Sequence, residues 1–573
     1  MSPSAAPGPQ LQRVFTGYLV AALARLYPRS VTPSEELCDA VSVLDWETSP
    51  TTLVRAGYGT GAVVGVLTAA CGLSLVGPPA LFPAALLGVV AVHAVHTLPS
   101  LLAQVRRTTA LGDAPALVSR AVLRMKLAPA PERAASFAAS SGEGLLAASL
   151  AQHVYRARHD GGTGLERFGA AWAGLFPPLR RALALVSAAG SAPPKDREQL
   201  LDRALTTVLD GTRERMRSFA ADTRGPTTAL YAFGVLLPTA TIALLPAGAA
   251  VGLAVVPVVV VFAYNLLLPA LLLTGGGWLL AQRPVAFPPP DVGAHPDATT
   301  GRGAVVAGPA VGVAAWLAIG ATFPPWGPSV AAVGLGGGVT LWLRYRPVVA
   351  VYAEIRAAER DLGDALTLAG RRVAGGQPVE TAVAETADEL DGPLGEAFGA
   401  CARRQRQLHV GVRQAFLGPY GALARLPSPR VRGSVALLAL AAREGRPAGE
   451  ALLALADHVE QLRRIRQEAH HDLAYVCRTL SSTAMLFGPL VAGATVALAD
   501  GIAGEAFGEE VALGWLGGPV GGYVLVLAVV LTGLSTALRR GFDGPLLGHR
   551  IGRALVCATG TYLTAYLLVG VVV

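Results

Sequence analysis

The sequence predicts an all-α protein that crosses a membrane about nine times and carries two cytoplasmic helical bundles. Three observations predict this class. First, 52% of the 573 residues are hydrophobic and 15% are charged, with a mean hydropathy of +0.47, whereas soluble domains carry about 25% charged residues. Second, apolar runs of membrane-spanning length recur along the chain. Third, the order of apolar runs and polar helical regions occurs twice, which indicates an internal duplication.

The predicted spans form four pairs and one final single helix, each with about 20 mainly apolar residues. They lie at 56–76, 79–98, 227–246, 250–274, 304–322, 328–345, 479–499, 514–537 and 551–571. The resulting division of the chain is a helical lead-in (1–55), spans one and two (56–98), a first helical domain (99–225), spans three and four (226–280), a flexible linker (281–303), spans five and six (304–346), a second helical domain (347–478), spans seven and eight (479–537), a short loop (538–550) and span nine (551–573).

The distribution of basic residues predicts the orientation. With the N-terminus inside, the outer segments 77–78, 247–249, 323–327 and 500–513 contain no Lys or Arg. Every basic residue then lies inside or at an inner membrane edge, as expected for cytoplasmic segments. We therefore expect a multi-pass plasma-membrane protein with its N-terminus and both helical domains in the cytoplasm and its C-terminus outside.

Two pairs of segments support the duplication. The tetrapeptide LGDA occurs at 111–114 and 362–365. The stretch SAPPKDREQLLDRAL at 191–205 has the pattern and relative position of GRPAGEALLALADHV at 445–459. The two offsets nearly agree, so we expect both helical domains on the same side of the membrane.

Catalytic motifs are missing from the sequence. Lys126 and Lys195 are the two lysines, and neither follows a glycine-rich phosphate-binding loop. The sequence contains neither HExxH nor GxSxG, and its cysteines form no CxxC pair. We therefore expect no enzymatic activity, cofactor or bound metal, and any ATP that drives the protein must be hydrolysed by a partner.

Clustered charges are the remaining candidates for a functional site. They are Arg403, Arg404 and Arg406, then Arg443 and Glu444, then Arg463, Arg464 and Arg466. Such clusters either form solvated helix faces in contact with lipid headgroups or bind an acidic partner surface. Nucleic acid is not an expected partner, because acidic residues nearly balance the second domain and no aromatic set accompanies the arginines.

The stretch Ser428–Arg478 predicts a helical hairpin that enters the membrane. Ser428 is positioned to cap a helix that has Pro429 in its first turn, and Gly445 ends that helix. No Gly or Pro separates the next helix, from about Ala448, from the seventh span. This pattern predicts one continuous helix that can transmit a movement from the cytoplasm to the membrane.

Two segments within 362–490 resemble a known family. They are LGDALTLAGRRVAGGQPVETAVAETADELDGPLGEAF and LARLPSPRVRGSVALLALAAREGRPAGEALLALADHVEQLRRIR. Their order, spacing and exit into a span resemble the F domain of the platform proteins of type II secretion systems, type IV pili, Tad pili and archaella. The first domain is less similar, because it lacks a counterpart of SPRVR and has a longer hairpin turn. Two F domains and nine spans look like the archaeal members.

The resemblance implies a non-enzymatic membrane platform. Proteins of this family contact a hexameric cytoplasmic secretion ATPase and pass its motion to pilin or archaellin subunits, and family analogy suggests a homodimer. A multi-span transporter with cytoplasmic regulatory domains is the alternative reading. It is disfavoured because, apart from Arg344 and Arg553 at inner ends, the predicted spans contain no Asp, Glu, Lys or Arg, and coupled carriers usually need such a group in the interior.

Overall fold

The computed structural model describes residues 20–572 except 76–77, 79–80, 143, 161–162, 251–256, 284–291, 293–294, 296, 299–300, 302, 445–447, 507–513 and 542. Within these ranges the regular elements are helices and no β-strand occurs, so the predicted all-α class is confirmed.

In the first half of the described residues we label twelve helices in order. They are α1 (Glu35–Leu44), α2 (Pro50–Leu75), α3 (Leu81–Leu111), α4 (Ala114–Leu127), α5 (Pro131–Ser140), α6 (Leu145–Asp160), α7 (Gly164–Ala171), α8 (Pro177–Ala189), α9 (Pro194–Asp222), α10 (Arg224–Tyr231, Ala232–Leu236 and Leu237–Ala250), α11 (Pro257–Phe262, Ala263–Leu267 and Leu268–Ala281) and α12 (Ala304–Ile319). The middle segments of α10 and α11 are π-helical turns.

The second half continues the numbering. Its helices are α13 (Trp326–Ala331, Ala332–Gly336 and Gly337–Ala374), α14 (Val379–Glu389), α15 (Gly392–Leu408), α16 (Val412–Leu417), α17 (Pro429–Glu444), α18 (Ala448–Asp472), α19 (Ala474–Ser482, Thr483–Phe487 and Gly488–Ala506), α20 (Gly517–Arg540) and α21 (Gly544–Val572). The middle segments of α13 and α19 are again π-helical turns.

Seven helices in the described ranges are long and apolar enough to cross a membrane, which supports a polytopic membrane protein. They correspond to predicted spans one to four and seven to nine. The fifth predicted span is the 16-residue apolar helix α12, and the sixth is the first part of α13, which is not among the seven. The glycines of α12 and α13 allow close packing, since a Cβ on Gly336 would lie 2.9 Å from the Cα of Gly312.

Two helical domains follow each other with the same order of elements. In the first, α4 to α9 enclose an apolar core with Phe168 and Phe176 at its centre. In the second, the last part of α13 and α14 to α18 enclose a core around Phe398 and Phe416, whose ring centres lie 5.2 Å apart. In each domain, a helix that begins at a proline precedes the long final helix.

The repeated LGDA segment folds differently in the two domains. In the first domain it separates α3 from α4, whereas in the second it lies within the continuous helix Gly337–Ala374. Pro115 follows the first copy and Leu366 follows the second. Proline lacks the N–H that would continue a helix, so the chain turns before Pro115 and a new helix begins there.

The two domains pack against each other through α4, α9, α17 and α18. Leu123 of α4 is buried in the core of the second domain, and Ile465 of α18 is buried in the core of the first. Each domain therefore contributes side chains to the core of the other, and the domains form a single packed unit.

The hairpin follows the predicted capping pattern at its start. Ser428 is fully buried, and its hydroxyl oxygen accepts a hydrogen bond from the Val431 amide at 3.3 Å. The same hydroxyl donates to Glu359 of α13 at 2.7 Å, and Glu359 also pairs with Arg430. The cap therefore also ties α17 to α13.

The continuous helix predicted from Ala448 into the seventh span is wrong. Helix α18 ends at Asp472, Leu473 has φ −84° and ψ −7°, and α19 begins at Ala474. The first domain shows the same arrangement, with a turn at Thr223 between α9 and α10. Leu473 is almost fully buried and keeps right-handed helical φ and ψ angles, so the interruption is confined to one residue that is neither Gly nor Pro.

A π-helical turn follows each of these two helix interruptions. It lies at Ala232–Leu236 in α10 and at Thr483–Phe487 in α19. Such turns displace carbonyl groups from the regular helical hydrogen bonds. The Gly234 carbonyl accepts a hydrogen bond from the Tyr523 hydroxyl, and the Met485 carbonyl accepts one from the Thr561 hydroxyl at 3.2 Å.

The connector at 281–303, predicted to be a flexible linker, is anchored at three described positions. Arg283 is buried and donates a hydrogen bond to the Ala537 carbonyl at 2.8 Å. Val292 packs against Val348 and its neighbours on α13. His295 is buried beside the Arg425 carbonyl, 3.1 Å from its Nε2 atom. These contacts fix parts of the connector against the second half of the molecule.

Candidate partner-binding surface

The first predicted arginine cluster lies on α15. Arg403 and Arg406 are exposed, whereas Arg404 is half-buried and donates to the Ala400 carbonyl at 3.3 Å. The opposite side of α15 carries Phe398 and Cys401, both fully buried in the core of the second domain. This amphipathic helix therefore presents Arg403 and Arg406 to solvent, where a partner can reach them.

The second predicted cluster lies on α18 beside the contact between the domains. Arg463 and Arg464 pair with Glu460 of the same helix, at 3.5 and 3.3 Å. Their side chains are 42% and 67% exposed, so the pairs are weak, about 0.3–0.5 kcal/mol each. Between them and the half-buried Arg466 lies Ile465, which is buried in the first domain. This cluster thus borders an intramolecular interface.

The remaining predicted pair, Arg443 and Glu444, ends α17, and their side chains lie outside the described residues. The two arginine clusters are on different helices, α15 and α18, which both pack on α13. The structure therefore separates the predicted charges into a solvent-facing group on α15 and a group on α18 that adjoins the other domain.

An ion-pair group connects the long final helices of the two domains. Glu468 of α18 lies 2.9 Å from Arg213 and 3.6 Å from Arg217, both on α9. The side chains of Arg213 and Glu468 are 36% and 42% exposed, so solvent screens the attraction. These pairs set the register of α9 against α18 but contribute little to the stability of the contact between the two helices.

His458 is a residue of the interface that the sequence analysis did not identify. It lies on α18 next to the backbone of Pro115 on α4, and it is 2% exposed. Burial lowers the pKa of His458 to about 4, and the contact with the Pro115 backbone acts to raise it. The ring is therefore neutral at neutral pH. The helical spacing of His458 from Leu452, Leu455 and Ile465 was the sequence signal that could have predicted its burial.

Cys401 is the buried thiol nearest to the exposed arginines of α15. Burial raises its pKa to about 12, although the charge of Arg404 acts to lower it. A thiol with this pKa stays protonated at neutral pH and is a poor nucleophile. Among the residues that the structure describes, no group of three His, Cys, Asp or Glu side chains is placed to hold a metal ion. The chemistry available on this surface is therefore charge complementarity.

Comparison with known proteins finds one family for this part of the chain. The family described as Type II secretion system (T2SS), protein F matches residues 365–495. The match begins in α13 at Ala365, covers the second helical domain and ends in α19 at Thr495. No curated protein and no solved structure gives a significant match to the chain. The second domain and the span that follows it are thus similar to protein F of type II secretion systems.

Proposed function

We propose that this chain is the membrane platform of an archaeal type IV pilus-like assembly or secretion machine. In this role it is not an enzyme, and it couples a cytoplasmic hexameric secretion ATPase to the insertion or extraction of pilin or archaellin subunits. The observation that carries the proposal is the protein F match over the second domain together with its exit into a span. The first domain, which has the same order of helices and the same membrane junction, is the second F domain of this proposal.

The proposed coupling runs through the long final helices. Because α9 and α18 are joined by Glu468, Arg213 and Arg217, a displacement of one domain is transmitted to the other. The one-residue interruptions at Thr223 and Leu473 are the proposed hinges between the domains and the spans. A hinge absorbs a change in φ and ψ over few residues, so the domains can tilt while the spans keep their packing.

The ATPase contact is the first part of the proposal to test. Arg403→Glu combined with Arg406→Glu reverses the exposed pair on α15 without removing a buried group. We expect this variant to bind the purified ATPase from the same organism at least about tenfold more weakly, since opposed charges steer and hold the two surfaces. The matched control is Arg360→Glu with Arg371→Glu, which reverses two exposed arginines on α13. Equal binding by both variants would show that α15 is not the docking surface.

A deletion strain separates the platform from the transporter alternative. We expect loss of surface filaments or of the secreted proteins, restored by the wild-type chain. Uptake of a solute by vesicles that contain the purified protein, with filaments unchanged in the deletion strain, would favour the transporter instead. The proposed homodimer is measured separately, from the mass of the detergent-solubilised complex.

The proposed orientation has its own test. In a cysteine-free background, Tyr420→Cys lies in the second domain at a residue that is 89% exposed. Thr322→Cys lies at the predicted outer end of the fifth span. A membrane-impermeant thiol reagent should label Thr322→Cys in intact cells and Tyr420→Cys only after permeabilisation. The reverse pattern would place the domains outside.

A further inference from the structure

A cavity of about 370 Å³ lies where the first helical domain meets the predicted inner ends of the spans. Four chain segments form it, namely the ends of α3, α9 and α11 and the loop that precedes α8. Its charged lining consists of Arg107, Arg215, Arg283 and Asp222. The cavity therefore has three positive charges and one negative charge at the level where lipid headgroups meet the cytoplasm.

Two of these arginines are partly buried. Arg107 pairs with Asp39 at 3.4 Å, and the Asp39 side chain is 73% exposed, so this pair is weak. The guanidinium carbon of Arg215 lies 5.3 Å from the centre of the Phe176 ring, which orients the group by a cation–π contact. Both arginines keep N–H donors available for an anion, because one ion pair or one ring face does not use all five donors of a guanidinium.

Arg283 supplies a buried donor. The residue is 5% exposed, and it donates to the Ala537 carbonyl at 2.8 Å and to the Arg539 carbonyl at 3.5 Å. Its Nε atom has no hydrogen-bond partner among the described residues. A buried N–H without a partner is costly unless a ligand or water satisfies it. The Nε atom itself has almost no accessible surface, so Arg283 contributes to the cavity through its positive charge.

The surrounding charges strengthen this preference for an anion. Arg283, Arg539, Arg540 and Arg550 all lie within electrostatic range of His470, whose pKa is lowered to about 4 by burial first and then by these four charges. Asp543 is the acidic group that faces Arg540 in this region. Because the cations outnumber the acids, the field at the cavity attracts negative charge.

The rest of the lining combines apolar and uncharged polar side chains. The apolar ones are Leu111, Leu175, Phe219 and Leu279, and the polar ones are Gln104, Thr108, Ser218, Thr223 and Gln282. A lining that contains both arginines and apolar side chains suits an amphiphile with a negatively charged headgroup. Arginine also binds phosphate oxygens with paired N–H donors, and the inner leaflet offers such groups at this depth.

We propose that this cavity binds a phosphate group and that the headgroup of an anionic phospholipid of the inner leaflet supplies it. The lipid fixes the first helical domain to the membrane surface by joining α3, α9 and α11 around one ligand. This site is independent of the ATPase contact proposed above, because none of its residues lies on α15 or α18.

Native mass spectrometry of the full-length protein in neutral detergent tests the site. The probes are dioleoylphosphatidylglycerol, dioleoylphosphatidylcholine and inorganic pyrophosphate. We expect the phosphatidylglycerol adduct to bind most tightly, and Arg107→Gln with Arg215→Gln to raise its dissociation constant at least about tenfold, since two charge-assisted contacts are lost. The control Arg156→Gln with Arg181→Gln removes two exposed arginines of the same domain and should leave the constant unchanged.

A second variant keeps every charge. Gly174 lines the cavity, and a Cβ built on it meets open space, so Gly174→Leu should fold and occupy part of the cavity. We expect it also to weaken the phosphatidylglycerol adduct. Equal phosphatidylglycerol binding by the wild type and both cavity variants would overturn the site. Binding of pyrophosphate without selective binding of phosphatidylglycerol would overturn the lipid as the source of the phosphate.

Discussion

Acidification should loosen the contact between the two helical domains through His458. The folded-state pKa of this histidine is about 4, against an ordinary value of 6.5. At pH 7.5 the ring is neutral in both the folded and the unfolded chain, so it adds nothing to the pH dependence. At pH 5.0 the unfolded chain binds a proton that the folded chain does not. Stability is therefore lost as the pH falls from 6.5 towards 4.

The size of the loss follows from these two pKa values. Between pH 7.5 and 5.0 the free energy of unfolding should fall by about 2 kcal/mol on account of His458 alone. For domains of this size, that corresponds to a fall of about 4–8 °C in the midpoint of thermal unfolding. The midpoint is measured for the full-length protein in neutral detergent at both pH values.

A difference between variants isolates this histidine from other titrating groups. His458→Gln removes the titration, so its midpoint should depend less on pH than the wild-type midpoint by the stated amount. His471→Gln is the matched control, because His471 is exposed on the same helix and its loss should leave the wild-type pH dependence unchanged. If wild type and His458→Gln lose the same stability on acidification, His458 is not held neutral between α18 and α4.

Three further substitutions test the packing in the same thermal assay. Ser428→Ala should lower stability by about 1–2 kcal/mol, because the Val431 amide loses its cap, and an unchanged midpoint would contradict the cap. Ile465→Ala should cost about 2–4 kcal/mol and speed proteolysis between the domains, and unaltered proteolysis would contradict its position in the first core. Glu468→Gln should cost less than about 1 kcal/mol, because its pair with Arg213 is half-exposed, and a much larger cost would show that the pair is desolvated.

The parts of the fold that depend on local chemistry could be predicted from the sequence. Apolar runs predicted the helices later found at seven of the nine expected spans. The cap at Ser428 followed from a serine directly before a proline, and the end of the same helix followed from the glycine after it. The family resemblance of the second domain, read from the order of its helix starts and stops, is supported by the match at 365–495.

The remaining features depend on tertiary packing. The LGDA repeat predicted a duplication, but it did not predict that Pro115 makes a new helix begin after the first copy. The helix interruption at Leu473 carries no Gly or Pro signal, and the Leu473 side chain is almost fully buried. Segments that are far apart in the chain form the cavity beside Arg283, so the periodicity within any one segment could not predict it.

The mutual burial of Leu123 and Ile465 has a consequence for how the two domains can diverge. Two identical subunits must present identical faces, whereas two domains on one chain can mutate separately while their contact persists. The region 100–225 has a net charge of +7 and the region 347–478 has a net charge of +1, so the two domains already differ. A single chain of this design therefore presents two domains of different net charge at a fixed ratio of one to one.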